Sequence, residues 1–150
     1  KDRGEAVAGD LRLSIGNFQG QPTAVLYRKV SVVKKPKLFT SGVVKDYAMD
    51  YVDVLAGVKI KVALRGKEAY VVEAAVPWSD LGVQPAEGLK LQADFGVTHG
   101  GPDGGRTRLR TYWNNQHTGI VDDAVFELQM EPKYWGEVEL QQQAAVQASF

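Results

Sequence analysis

Side chains that change character at every second residue constrain this chain more than anything else in it. Val58, Ile60, Val62 and Leu64 share one side, and Lys59, Lys61 and Arg65 the other. That is the period-two signature of a strand with one apolar and one wet face. Gly66 and Lys67 supply a turn, after which Tyr70, Val72, Ala74 and Val76 begin a second apolar face, so a β-hairpin is expected. Pro77 has no N–H for the ladder and ends it. The same alternation runs through Leu11, Leu13 and Ile15, with residues 22–30 as partner across a turn at 17–21. It returns in Leu89, Leu91, Ala93, Phe95 and Val97, and again over 106–113, beyond the glycine-rich turn at 100–105. Weaker strands are expected over 125–129 and 137–140, a single helical turn over 78–82, and a loop at the Lys34-Lys35-Pro36-Lys37 run. Residues 43–55 read as a strand or a short helix. Many short strands with little helical periodicity predict an all-β fold, an antiparallel β-sandwich of jelly-roll type.

Composition removes several function classes. The 150 residues contain 18 Lys+Arg, 18 Asp+Glu and no Cys. Disulfides, thiolate metal sites and cysteine nucleophiles are therefore excluded. A nucleic-acid partner is not expected, because phosphate neutralisation needs a basic excess. No apolar run approaches the ~18 residues of a membrane span, so no membrane partner is expected either. The start at Lys1-Asp2-Arg3 implies a processed or excised piece. Residues 1–140 read as one domain and 141–150, rich in Gln and Ala, as a flexible tail.

Polar side chains collect between residues 89 and 117. A hairpin register pairing residue 98 with 106 would set Asp94 opposite Arg110 and Gln92 opposite Tyr112. One face would then carry an amide, a carboxylate, guanidinium groups and an aromatic ring, a set able to bind neighbouring hydroxyls beside an apolar platform. The plainer use of such a face is a solvated sheet surface. Trp113 shares its side with Leu109 and reads as core or as a platform. No nucleophile–base pair is recognisable, so no enzyme is expected. His99 and His117 lack metal-ligand spacing. Asp122 and Asp123 are candidate calcium ligands through their oxygens, the alternative being a turn or strand entry.

Three blocks together resemble one family: Tyr70-Val71-Val72-Glu73-Ala74-Ala75-Val76-Pro77-Trp78-Ser79-Asp80-Leu81-Gly82, then Gly88-Leu89-Lys90-Leu91-Gln92-Ala93-Asp94, then Glu131-Pro132-Lys133-Tyr134-Trp135-Gly136-Glu137-Val138-Glu139-Leu140. They are similar to family 9 carbohydrate-binding modules and their DOMON-like relatives. The resemblance implies an extracellular or periplasmic, non-catalytic β-sandwich, part of a larger glycan-active protein such as a glycoside hydrolase. It implies a sugar held by aromatic and polar groups, with Arg12 and Gln92 at sugar-binding positions. Asp94, Arg110, Tyr112, Trp113, Asn115 and His117 complete the candidate set. The family's first strands, with a clamp aromatic, would precede residue 1, so an upstream segment or a partner chain is expected to complete the sandwich. Over 114–123, where a second clamp aromatic is expected, the chain offers His117. Two alternatives follow: a structural or interaction module without its own ligand, and a haem-binding DOMON-like domain using Met49, Met130, His99 or His117.

Overall fold

A computed structural model describes residues 3–66, 69–101, 106–117 and 123–142. Strands β1 (Arg12–Phe18) and β2 (Gln21–Arg28) pair antiparallel from Arg12↔Tyr27 to Phe18↔Gln21. Their two-residue turn holds Gln19 and Gly20 at φ 51° and 83°. Two consecutive positive φ angles match the twist of the strands they join. The Lys34–Lys37 run is only partly a loop: Lys35 bridges to Tyr51, and β3 (Lys37–Phe39) begins within it. β3 pairs with β4 (Tyr47–Met49), and β5 (Tyr51–Val54) adds to the free side of β2, giving the order β1-β2-β5.

β6 (Lys59–Arg65) and β7 (Ala69–Ala75) form the expected hairpin. Ile60↔Ala74, Val62↔Val72 and Leu64↔Tyr70 share one face, and Lys61↔Glu73 and Arg65↔Ala69 the other. The apolar face is open to solvent, with Leu64 78% exposed. Pro77 is followed by one helical turn, α1 (Trp78–Leu81), closed by Gly82 at φ 71°, where the Val83 N–H reaches back to the Trp78 carbonyl. Trp78 is exposed, beside a hollow also lined by Pro85, Ala86 and Leu140.

The long strand expected over 89–97 is two strands. β8 (Lys90–Ala93) and β9 (Gly96–Gly100) are separated at Asp94 and Phe95. β9 pairs with β10 (Thr107–Tyr112), while β8 pairs with β11 (Gly136–Glu139) far downstream. The weak strand expected at 125–129 is instead a short helix, α2 (Ala124–Leu128). Asp123 explains the change, because its carboxylate accepts the Phe126 N–H and starts the helix. A 3-10 turn at Pro132–Tyr134 leads into β11.

The all-β, antiparallel fold class stands. Its buried centre is small: Ala24 and Leu26 from β2, Met49 from β4, Val125 from α2, then Met130 and Pro132. Met49 is 0% exposed. Both methionines weighed as haem ligands lie in this centre. Among the described residues, no helix is long and apolar enough to cross a membrane.

Candidate functional site

Five of the candidate residues, Asp94, Tyr112, Trp113, Asn115 and His117, converge where β10 ends. The ladder register is 98 with 110, so Arg110 faces Thr98 and Tyr112 faces Gly96. This corrects the expected pairing: Asp94 is not opposite Arg110, and Gln92 lies opposite Glu137 in the other ladder. The chain beyond β10 instead folds back over Asp94. Its carboxylate accepts the N–H groups of Phe95 (3.0 Å), Asn114 (2.9 Å) and Asn115 (3.2 Å). Asp94 thus holds the 113–117 segment in place, with three of the roughly four acceptor sites of its carboxylate taken by backbone N–H groups. The Asn114 amide donates to the Tyr134 carbonyl at 2.7 Å, and the Asn115 side-chain oxygen accepts the His117 N–H at 2.8 Å. His117 stacks on the Tyr134 ring with centroids 4.5 Å apart.

Trp113 sits at the centre of this arrangement. A Cβ added to Gly136 would lie 2.7 Å from its indole, so the outer end of the six-membered ring closely approaches the β11 backbone at that glycine. The rest of the residue is open, 53% exposed. Phe95 is 63% exposed and meets Trp113 at 6.0 Å and 51°, a tilted pair. Together with Gly96, Val97, Thr111 and Tyr112 they line a shallow hollow of about 250 Å³.

At the end of β10, beyond an irregularity in its register, burial runs against expectation. Arg110 points inward and is 9% exposed, and the Tyr112 ring folds over Gly96, whose Cβ would lie 2.5 Å away. Leu109 and Trp113, on the side read as core, are the exposed ones. An aromatic ring comes within 3 Å of the Cβ position at each of the two glycines, Tyr112 at Gly96 and Trp113 at Gly136. The hydroxyl-binding face expected from Gln92, Asp94, Arg110 and Tyr112 is therefore not formed.

Arg12 belongs to a different cluster. Its guanidinium pairs with the Glu127 carboxylate at 2.9 Å and also donates to the Glu127 carbonyl, tying β1 to α2. No hydrogen bond or ion pair joins Arg12 to Gln92, which is exposed on β8. Burial pushes the nearby Tyr27 and Tyr47 hydroxyls above the ordinary tyrosine range.

Asp123 caps α2. The Phe126 N–H, then the Ser41 hydroxyl, hold its carboxyl below the usual carboxylate range. Asp122 lies outside the described residues. Among the described residues, no group of three or more His, Cys, Asp and Glu side chains is placed to hold a metal ion.

Phe95, Asn114 and Tyr134 were not anticipated as part of the site. The cue for Asn114 was the Asn-Asn pair after an aromatic strand end, a turn signal. Comparison with protein-family models, curated proteins and solved structures finds no match to this chain.

Proposed function

We propose that this chain is a non-catalytic carbohydrate-binding domain whose platform is the exposed face of Trp113. One observation carries the reading: an indole whose outer end packs close to the β11 backbone at Gly136 in a residue that stays 53% exposed. A ring held in one orientation loses little freedom when a sugar's C–H face stacks on it. Phe95 forms the tilted wall beside it. Asn115 and His117, on the segment pinned by Asp94, supply polar groups for ring hydroxyls. Arg12 and Gln92 take no part in this version of the site. The resemblance of the three sequence blocks supports placing the domain in a larger glycan-active protein outside the cytoplasm.

Calorimetry against neutral mono- and oligosaccharides tests the proposal. Heat at millimolar sugar is expected, disappearing in Trp113→Ala and weakening in His117→Ala, whose side chain is exposed and whose loss spares the fold. A folded chain that gives no heat with any neutral sugar at that concentration would refute it. A second reading, a structural or interaction module, is favoured by the ion pair that occupies Arg12. It predicts that the Trp113 and His117 substitutions leave every function of the parent protein intact.

A further inference from the structure

We infer that the site extends along β11 to a second aromatic subsite at Trp78, and that its ligand is a linear oligosaccharide reaching both tryptophans. The inference rests on the Trp113 reading proposed above and adds the ligand's length to it. Trp78 is 42% exposed. Its backbone is fixed by the α1 turn, where its carbonyl accepts the Val83 N–H at 3.1 Å. It borders an open hollow of about 440 Å³ together with Glu87, Leu140, Gln141 and Gln142. Among the described residues, no hydrogen bond or ion pair occupies the side chains of Glu87, Gln141 or Gln142, and all three are exposed. An indole beside one carboxylate and two amides combines a stacking surface with acceptors and donors for hydroxyls.

The β8–β11 ladder connects the two tryptophans. At one end the Trp113 indole reaches the Cβ position of Gly136. At the other, Leu140 lines the Trp78 hollow. The ladder runs on to it, because the Leu140 N–H donates to the Leu89 carbonyl at 2.9 Å and the Gly88 N–H to the Leu140 carbonyl at 2.8 Å.

Side chains alternate along a strand, so Gly136, Val138 and Leu140 share one face with Ala93, Leu91 and Leu89. Lys90, Gln92, Glu137 and Glu139 project from the other face. The ladder therefore sets no charged side chain on the face that joins the two ends. A rise of about 3.4 Å per residue puts Gly136 and Leu140 about 14 Å apart. One sugar ring does not cover that distance, whereas a chain of several units does. Once one ring is stacked, contact at the second indole is intramolecular, so affinity grows with chain length.

Calorimetry of the whole chain with linear β-1,4-linked gluco- and xylo-oligosaccharides of one to six units tests the inference. In at least one series, affinity is expected to rise at least about tenfold between two and five units. Trp78→Ala is expected to bring the five-unit affinity down to the two-unit value. Glu87→Ala combined with Gln141→Ala, both at exposed positions, is expected to lower it in the same direction. Where Trp78→Ala does not fold, that double variant decides. Affinity that is flat with length overturns the extension and leaves the Trp113 platform standing. So does a length dependence that survives in the deciding variant. Absence of binding at every length in both series refutes the platform reading, and the extension with it.

Discussion

The hairpins β1–β2 and β6–β7 are built from the same alternation and end in opposite situations. β1–β2 gains β5 on its edge, and its Ala24 and Leu26 are buried with Met49, Val125 and Met130. β6–β7 presents an equally apolar face to solvent. The difference teaches that alternation decides which side chains share a face, whereas burial depends on what the topology brings to it. Short elements from distant parts of the chain, β4 and α2, do that for the first hairpin.

The largest expected effect sharpens this contrast. Met49→Ala removes a fully buried side chain and is expected to cost about 2–5 kcal/mol in denaturant unfolding. Leu64→Ala, at a position 78% exposed, is expected to stay within about 0.5 kcal/mol. Equal costs at the two positions would break the comparison.

Next in size is the tie between β1 and α2. Arg12→Ala leaves the part-buried Glu127 carboxylate without its partner, at about 1–3 kcal/mol. Arg12→Ala with Glu127→Ala together is expected to cost less than the sum of the two, read as a coupling energy in a double-mutant cycle. Strict additivity would mean that the pair does not hold α2 to β1.

A smaller effect separates stability from binding at the platform. Asp94→Ala removes the acceptor of three backbone N–H groups, at about 1–2 kcal/mol. Because the 113–117 segment is then unpinned, sugar affinity is expected to fall about tenfold in calorimetry. Unchanged affinity in a destabilised Asp94→Ala would show that the segment plays no part in binding.

The smallest effect is the response to acid. Asp50 is held below the ordinary carboxylate range by Lys34, Asp53 by Lys35, and Asp123 by the Phe126 N–H. A folded-state pKa below the unfolded value of about 3.9 gives stability that is complete above that pH. It is lost as pH falls further through the folded-state values. Thermal midpoints are therefore expected to be flat from neutral pH to about 4.5 and to drop below pH 4. Asp123→Asn is expected to shrink that drop. A midpoint that rises on acidification would contradict the assignment.

How much of this was readable beforehand depended on the range of the interactions involved. The two hairpins were, because Gln19-Gly20 and Gly66 place the turn beside the alternation it serves. The break at Asp94 was hidden, because Leu89, Leu91, Ala93, Phe95 and Val97 alternate straight through it. What interrupts the strand is a carboxylate claimed by N–H groups twenty residues away. The partner of β8 lies further still, and a hairpin-local reading could not reach β11. In α2, apolar Val125 and Phe126 resembled a strand, and the capping Asp123 outweighed them. Trp113 reads in the sequence as core or as a platform, and its close approach to Gly136 on a distant strand is not visible there.

Backbone and indole N–H NMR spectra, followed while a neutral oligosaccharide is added, test the platform most directly. The shifts are expected to centre on the Trp113 indole, Phe95, Asn115 and His117, with Arg12, Tyr27 and Glu127 unmoved. Shifts centred on Arg12 and Glu127, or none at millimolar sugar, would contradict the account.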